Sequence, residues 1–198
     1  TYIQEQNCFP GLTNKLLGKR AKKIFVAYDN MERFFSIDKI INTGNPVRKS
    51  LKTSTDLNYV NKSRSFFGLS NNKFTILVIG GSLGAQPINR VIQKNLHKLI
   101  DNDCQLIWQT GSFEYQYYKN LNSKQCCIQS FIDRMDLAYS AADLVISRAG
   151  AIAITEISFL KKASILIPSP YVTDDHQKKN AQYLEHNDAC ILINESEL

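Results

Sequence analysis

Two glycine-centred turns and one acid carry most of the chemistry legible in this chain. The first turn, Gly80-Gly81-Ser82-Leu83-Gly84-Ala85, follows the apolar run Ile76–Ile79 and precedes a helical pattern. Glycine has no Cβ, so Gly80, Gly81 and Gly84 let the backbone turn sharply and approach a ligand closely. The unpaired N–H groups of the following helix face an anion. Ser82 adds a hydroxyl donor. These residues read as a phosphate-binding strand, turn and helix; an ordinary entry into a helix explains the same pattern. The second turn, Ser147-Arg148-Ala149-Gly150-Ala151, opens a helix that carries Ile152, Ala153, Ile154, Thr155 and Glu156. Two helix N-termini meeting at one crevice can hold a diphosphate, and Glu156 can accept hydrogen bonds from the vicinal hydroxyls of a ribose.

Two further segments belong with these turns, Phe131-Ile132-Asp133 and the loop Pro168–Asn180 with its Asp174-Asp175-His176-Gln177. Singly, each feature has a plain reading: Gly150 as a tight turn, Glu156 as a solvated helix residue, His176 as a surface loop residue. Jointly they fall at the ends of strands, where open α/β sheets bind ligands, and that favours a nucleotide site. Asp101-Asn102-Asp103 has the D-x-D spelling of a cation-held diphosphate site. It precedes a strand and so lies at the opposite edge of the sheet; it reads as a turn, and no bound metal and no cofactor are expected.

The elements that position these groups follow from hydrophobic periodicity. From Phe74 onward, short apolar runs alternate with helical ones. Strands are expected at Phe74–Ile79, Cys104–Trp108, Cys126–Gln129, Leu144–Ser147, Ser164–Pro168 and Ala189–Ile193. Helices are expected at Ala85–Ile100, Glu114–Leu121, Asp133–Ala141, Ala151–Leu160 and Gln177–His186. Continuously apolar strands with helical crossovers imply a doubly wound parallel sheet covered on both faces, an α/β Rossmann-like fold. Before this, Gly11–Gly18 reads as helix, and Lys23–Ala27 and Lys39–Ile41 as strands. The segment Thr43-Gly44-Asn45-Pro46-Val47-Arg48 reads as a crossover, because Pro46 biases Asn45 to an extended conformation. Lys49–Lys73 is polar, with mixed helix and loop character.

Composition narrows the setting. The chain has 198 residues, 43% hydrophobic and 21% charged, enough for one sizeable core and part of a second. No run approaches the roughly 18 apolar residues of a membrane-spanning helix, so any membrane contact is expected to be peripheral. The five cysteines lack C-x-x-C spacing and sit mostly in strand-like runs, which suggests a reducing compartment rather than disulfides or zinc. A net charge of +6 invites a nucleic-acid partner, but no aromatic-rich basic motif accompanies it, and none is expected. The basic cluster Lys15–Lys23 reads as a solvated helix face.

Taken in order, Glu5-Gln6-Asn7, Gly11-Leu12-Thr13-Asn14-Lys15, Gly44-Asn45-Pro46-Val47-Arg48, Gly80–Gln86, Phe131-Ile132-Asp133, Ser147–Ala151 with Glu156, and His176-Gln177 with Asn180-Ala181 resemble the MurG family of bacterial peptidoglycan glycosyltransferases. That family transfers N-acetylglucosamine from its UDP carrier to an undecaprenyl-pyrophosphoryl-muramyl-pentapeptide lipid. The resemblance covers nearly the whole chain and implies a GT-B architecture of two Rossmann-like domains facing across a cleft. Residues 1–47 would be the end of the first, acceptor domain and the crossover; residues 48–198 would be the UDP-sugar domain, incomplete at its C-terminus. It implies that Ser82 and its turn, with backbone around Ala151 and Ile152, hold the diphosphate. Phe131 would cover the uracil, the Ile132 backbone would read its edge, and Glu156 would bind the ribose. Gln177 and His176 would meet the sugar, and Asn7 and Arg48 would reach the donor from the first domain and the crossover.

The family usually carries Gln where this chain has His176, and His where it has Gln4. Its chemistry inverts the anomeric centre, and its acceptor loops and general base would lie before Thr1. The implied setting is the cytoplasmic face of the bacterial membrane, reached peripherally. Alternatives are another GT-B enzyme using a UDP-sugar, such as a lipid galactosyltransferase or an epimerase, a nucleotide-sugar-binding module without catalysis, and a dinucleotide-dependent oxidoreductase. The last wants an acid near the end of the strand after the glycine turn, where this chain has Trp108-Gln109-Thr110-Gly111.

Overall fold

A computed structural model describes residues 1–53 and 56–198. They form two parallel sheets. The smaller contains β1 (Tyr2–Glu5), β2 (Lys23–Val26) and β3 (Ile40–Asn42) in that order, with α1 (Leu12–Gly18) between β1 and β2. Its core gathers Ile3, Ile24, Val26, Met31 and Phe35. After the crossover and α2 (Leu57–Phe66) comes the larger sheet. Its strands are β4 (Phe74–Ile79), β5 (Cys104–Gln109), β6 (Cys126–Gln129), β7 (Leu144–Ser147), β8 (Ala163–Leu166) and β9 (Ile191–Leu192). Between them run α3 (Gln86–Asp101), α4 (Tyr115–Tyr118), α5 (Met135–Ala141), α6 (Ala151–Phe159) and α7 (His176–Glu185).

The strand order β6-β5-β4-β7-β8-β9 is that of a doubly wound Rossmann sheet, and the order reverses between β4 and β7. Alternate residues of one strand serve opposite faces. Leu77, Ile107 and Val145 pack with α2, α5, α6 and α7, whereas Ile76, Val78, Leu106 and Trp108 pack with α3 and α4. On α3, Ile88, Ile92 and Leu96 recur every fourth residue and are all buried, which turns one stripe of the helix to the sheet. Pro87 falls in the first turn of α3, where a missing N–H costs no hydrogen bond.

Two expected elements come out shorter, and one further strand forms. Tyr2–Glu5 is a strand that local pattern did not suggest, because its inward residues, Ile3 and Glu5, mix an apolar and an acidic side chain. Glu5 tolerates burial because its carboxylate accepts from Asn7 and Asn14. The helix expected over Glu114–Leu121 is one α-turn, Tyr115–Tyr118, followed by a 3-10 turn, Lys119–Leu121. The last strand shrinks to Ile191–Leu192. The basic cluster is solvated, with Lys19, Arg20 and Lys22 exposed, but only its first part is helical: α1 stops at Gly18 and exposes Leu12, Leu16 and Leu17, while the Lys15 ammonium lies 4.0 Å from the Phe9 ring centroid. Asp101 ends α3, and Asn102 and Asp103 form the turn before β5, with Asp103 Oδ1 2.6 Å from Lys73 Nζ.

Candidate functional site

A cavity of about 610 Å³ opens at the C-terminal ends of β4 and β7, where the strand order reverses. Its floor is the glycine turn. Gly81 and Gly84 have φ +86° and +82°, a region open to glycine but strained for other residues. Each glycine answers a different demand. A Cβ on Gly80 would stand 2.4 Å from Ala85 N, and one on Gly84 would stand 2.0 Å from Thr110 O, whereas Gly81 has open space around it. The turn is therefore folded tightly against its own helix and against the end of β5. Ser82 is exposed on it.

The opposing wall is the start of α6. Gly150 caps this helix without a side-chain hydrogen bond, which leaves the first-turn N–H groups open. Ile152, Ala153 and Glu156 line the cavity, while Ala151, Ile154 and Thr155 do not. Successive helical residues are rotated by about 100°, so a consecutive run cannot share one wall. Ile154 is buried in the core. Thr155 returns its hydroxyl to Ala151 O at 2.7 Å and accepts from Asn45 Nδ2 at 3.1 Å.

Glu156 is 2% exposed. Tyr139 donates its hydroxyl to Oε2 at 3.2 Å, and Arg48 Nε faces Oε1 at 2.9 Å. The Arg48 contact is an ion pair without hydrogen-bond alignment, so Oε1 keeps acceptor capacity beside the cavity. Burial pushes the Glu156 carboxyl above the usual carboxylate range, against the pull of Arg48 and then of Tyr139. Burial likewise raises the Tyr139 phenol, reinforced by the neighbouring Glu156 charge.

Phe131 is half exposed at the mouth, and Ile132 lies behind it, almost wholly buried. The Ile132 N–H is already donated to Gln109 Oε1 at 2.9 Å. Gln177, on the first turn of α7, also lines the cavity, and its Oε1 accepts from Ser169 N at 2.9 Å. His176 does not line it; its Nδ1 pairs with Thr173 O at 2.8 Å. Asn7 is also elsewhere, held between Glu5 and Asn180 at the junction of the two sheets.

Among the wall residues to which the sequence assigned no role of their own are Gln109, Tyr139 and Arg148. Gln109 had a usable signal, a polar residue closing an apolar strand at the ligand end. Arg148 donates to the carbonyls of Ile167 and Pro168 and is ion-paired with Glu195, so it braces the loop that leads to Gln177. Tyr139 had no local signal, since only packing turns α5 toward Glu156.

A Rossmann strand order, with a glycine turn after the first strand of the sheet and a second open helix N-terminus across the cavity, defines a doubly wound α/β domain. The chain belongs to the family described as Glycosyltransferase family 28 C-terminal domain, which matches residues 75–198. It is 53% identical over 195 residues, 96% of its length, to the UDP-N-acetylglucosamine--N-acetylmuramyl-(pentapeptide) pyrophosphoryl-undecaprenol N-acetylglucosamine transferase of Parabacteroides distasonis. It is 51% identical over 199 residues to the protein of that name from Flavobacterium psychrophilum. The chain spans about half the length of the curated relatives it matches, 52% and 54% in these two. Among solved structures, Acinetobacter baumannii MurG superimposes with a TM-score of 0.72 at 29% identity, over 100% of this chain and 54% of that one. A glycotransferase of kitacinnamycin, at 11% identity and TM-score 0.62, covers 90% of this chain and 43% of its own and shares the fold.

Proposed function

We propose that this chain is the donor-binding part of an inverting hexosyltransferase. The reaction moves N-acetylglucosamine from UDP-N-acetylglucosamine to an undecaprenyl-pyrophosphoryl-muramyl-pentapeptide lipid in peptidoglycan synthesis. One observation supports this reading above others: the Gly80–Gly84 turn, the open N-terminus of α6 and the buried acid Glu156 share a single cavity. The names of the relatives supply the donor and the acceptor. Residues 1–47 are assigned to the acceptor domain and crossover, and residues 48–198 to the UDP-sugar domain.

In this reading Ser82, the glycine turn and the first-turn N–H groups of α3 and α6 surround the diphosphate. As the anomeric carbon–oxygen bond breaks, charge builds on the leaving UDP. Donors already fixed in place stabilise it without reorganising. Phe131 covers the uracil, and Glu156 accepts from the ribose hydroxyls, with Arg48 closing over the acid from the crossover. Gln177 meets the sugar with its amide NH2, since its oxygen is occupied by Ser169 N. His176 stands at the edge of that contact. Asn7 is assigned to the junction of the sheets rather than to the donor. No metal and no nucleic acid enter the scheme, and the acceptor is met at the cytoplasmic face of the membrane by peripheral contact. No helix among the described residues is long and apolar enough to cross a membrane.

Calorimetric titration tests the reading. UDP and UDP-N-acetylglucosamine are expected to bind and NAD to fail, because β5 ends in Gln109 where a dinucleotide site wants an acid. NAD binding as tight as UDP would overturn it. UDP-galactose binding as tight as UDP-N-acetylglucosamine would overturn the sugar assignment alone.

A further inference from the structure

Gln109 is the last residue of β5 and is 4% exposed. Parallel pairing sets it between Ile79, which ends β4, and Gln129, which ends β6. The loops leaving those two strands are the glycine turn and the segment that carries Phe131 and Ile132. A single carboxamide reaches both. Nε2 donates to Gly81 O at 2.8 Å, and Oε1 accepts from Ile132 N at 2.9 Å.

The residues after Gln109 grip the same turn by backbone. A Cβ on Gly84 would collide with Thr110 O, and one on Gly111 would stand 2.2 Å from Leu83 O. Asn89, buried on α3, donates Nδ2 to Thr110 O at 2.9 Å and so fixes that carbonyl in place. The far side of the turn is thus set by backbone contact, and the near side by one side chain that also sets Ile132.

We propose that Gln109 is a positioning residue that holds the phosphate turn and the Phe131–Ile132 segment at one fixed separation, so that a nucleoside diphosphate meets both at once. This rests on the nucleotide reading of the cavity. The geometry needs a neutral group with a donor at one end and an acceptor at the other. Asparagine is one methylene too short, and a glutamate would set an acceptor against Gly81 O.

A ligand that spans both ends gains from their fixed separation; a ligand that touches one end does not. The test compares UDP with its separate halves, uridine and inorganic pyrophosphate, each measured by competition, in the unaltered protein and in Gln109→Met. Methionine keeps the length and removes both hydrogen bonds. UDP affinity is expected to fall about tenfold, the scale of two neutral hydrogen bonds, while the two halves shift by less than about threefold. Unchanged UDP affinity, or a parallel loss for pyrophosphate or uridine alone, would overturn the proposal. Absence of UDP binding by the unaltered protein would overturn the nucleotide reading with it.

Gln109→Glu provides a second readout that a general loss of folding does not mimic. Ionised, the glutamate confronts Gly81 O with an acceptor; protonated, it restores the donor. Its UDP affinity relative to the unaltered protein, which shares Glu156 and Arg48, is expected to recover as the pH is lowered from about 7.5 to about 5. A ratio that stays flat across this range, with the variant folded by circular dichroism, would also overturn the proposal.

Discussion

Asn180 donates Nδ2 to Asn7 Oδ1 at 2.9 Å across 173 positions of chain, and its Oδ1 accepts the Cys8 N–H at 3.1 Å. Both ends of one fully buried carboxamide on α7 are thereby committed to the loop after β1. Asn7 is held in turn by Glu5, whose other oxygen accepts from Asn14 on α1 at 2.8 Å. A polar chain therefore ties the small sheet to the helix that carries Gln177. Asn180→Ala strands the buried Cys8 N–H and leaves the partly buried Asn7 Oδ1 without its donor, and a loss of about 1–3 kcal/mol is expected. Urea denaturation measures it; a midpoint equal to that of the unaltered protein would show that the pair contributes nothing.

The two left-handed glycines of the turn predict different costs. Gly81→Ala meets only the conformational penalty, about 1–2 kcal/mol, because nothing stands near its Cβ. Gly84→Ala adds a collision with the backbone of Thr110 that no rotamer change can relieve. Thermal denaturation is expected to rank Gly84→Ala below Gly81→Ala. Equal melting temperatures would mean that the turn moves off β5 without cost.

Glu156→Ala is expected to weaken UDP binding by about 1.5–3 kcal/mol, the usual scale for hydrogen bonds to a charged group. Ser82→Ala, which removes one exposed hydroxyl, is expected to cost less. Calorimetry on variants with unchanged circular dichroism decides the matter. Normal UDP binding by Glu156→Ala would leave Glu156 with no more than its contacts to Arg48 and Tyr139.

The same acid predicts a pH dependence. Burial raises its carboxyl in the folded state above its value in the unfolded chain, so the folded state holds the proton more tightly. Stability from this group is therefore present at low pH and is lost as pH rises from the ordinary carboxylate value through the raised one. Glu156→Gln cannot titrate. The stability difference between Glu156→Gln and the unaltered protein should shift in favour of the variant as pH rises through that window, then level off. A difference that stays constant from about pH 4 to 7 would show that the carboxyl is not raised.

Arg64 predicts a structural effect far from the cavity. Its guanidinium donates to Ala141 O at 3.1 Å, to Asn71 O at 2.6 Å and to Asp143 Oδ2 at 2.7 Å, and Asp143 also accepts the Thr75 N–H. Arg64→Ala leaves the carbonyls of Ala141 and Asn71 without their donor and removes one of the cations beside the Asp143 carboxylate, which is 38% exposed, and a loss of about 1–3 kcal/mol is expected. Arg64→Lys, a point charge without the planar fork, should recover only part of it. Chemical denaturation of both variants tests this, and full recovery by lysine would exclude a role for the fork.

Much of the larger sheet is a local property of the sequence. Runs such as Phe74–Ile79 and Leu144–Ser147 read as strands because they are short, mostly apolar and rich in β-branched residues, which fits a strand buried on both faces. The glycines of the turn announce themselves by type, and the alternation of strand and helix implies the parallel order. Tertiary structure alone decided what local pattern does not encode. Tyr2–Glu5 becomes a strand because Lys23–Val26 pairs with it in register and because Asn7 and Asn14 satisfy its buried acid. Which three residues of α6 face the cavity depends on how that helix is rotated against the sheet. Asn7 is drawn to Asn180, and Gln109 spans two loops, through contacts between groups 173, 28 and 23 positions apart. The physical reason is reach: periodicity reports which way a side chain points within its own element, whereas a hydrogen bond between elements exists only once both have been packed.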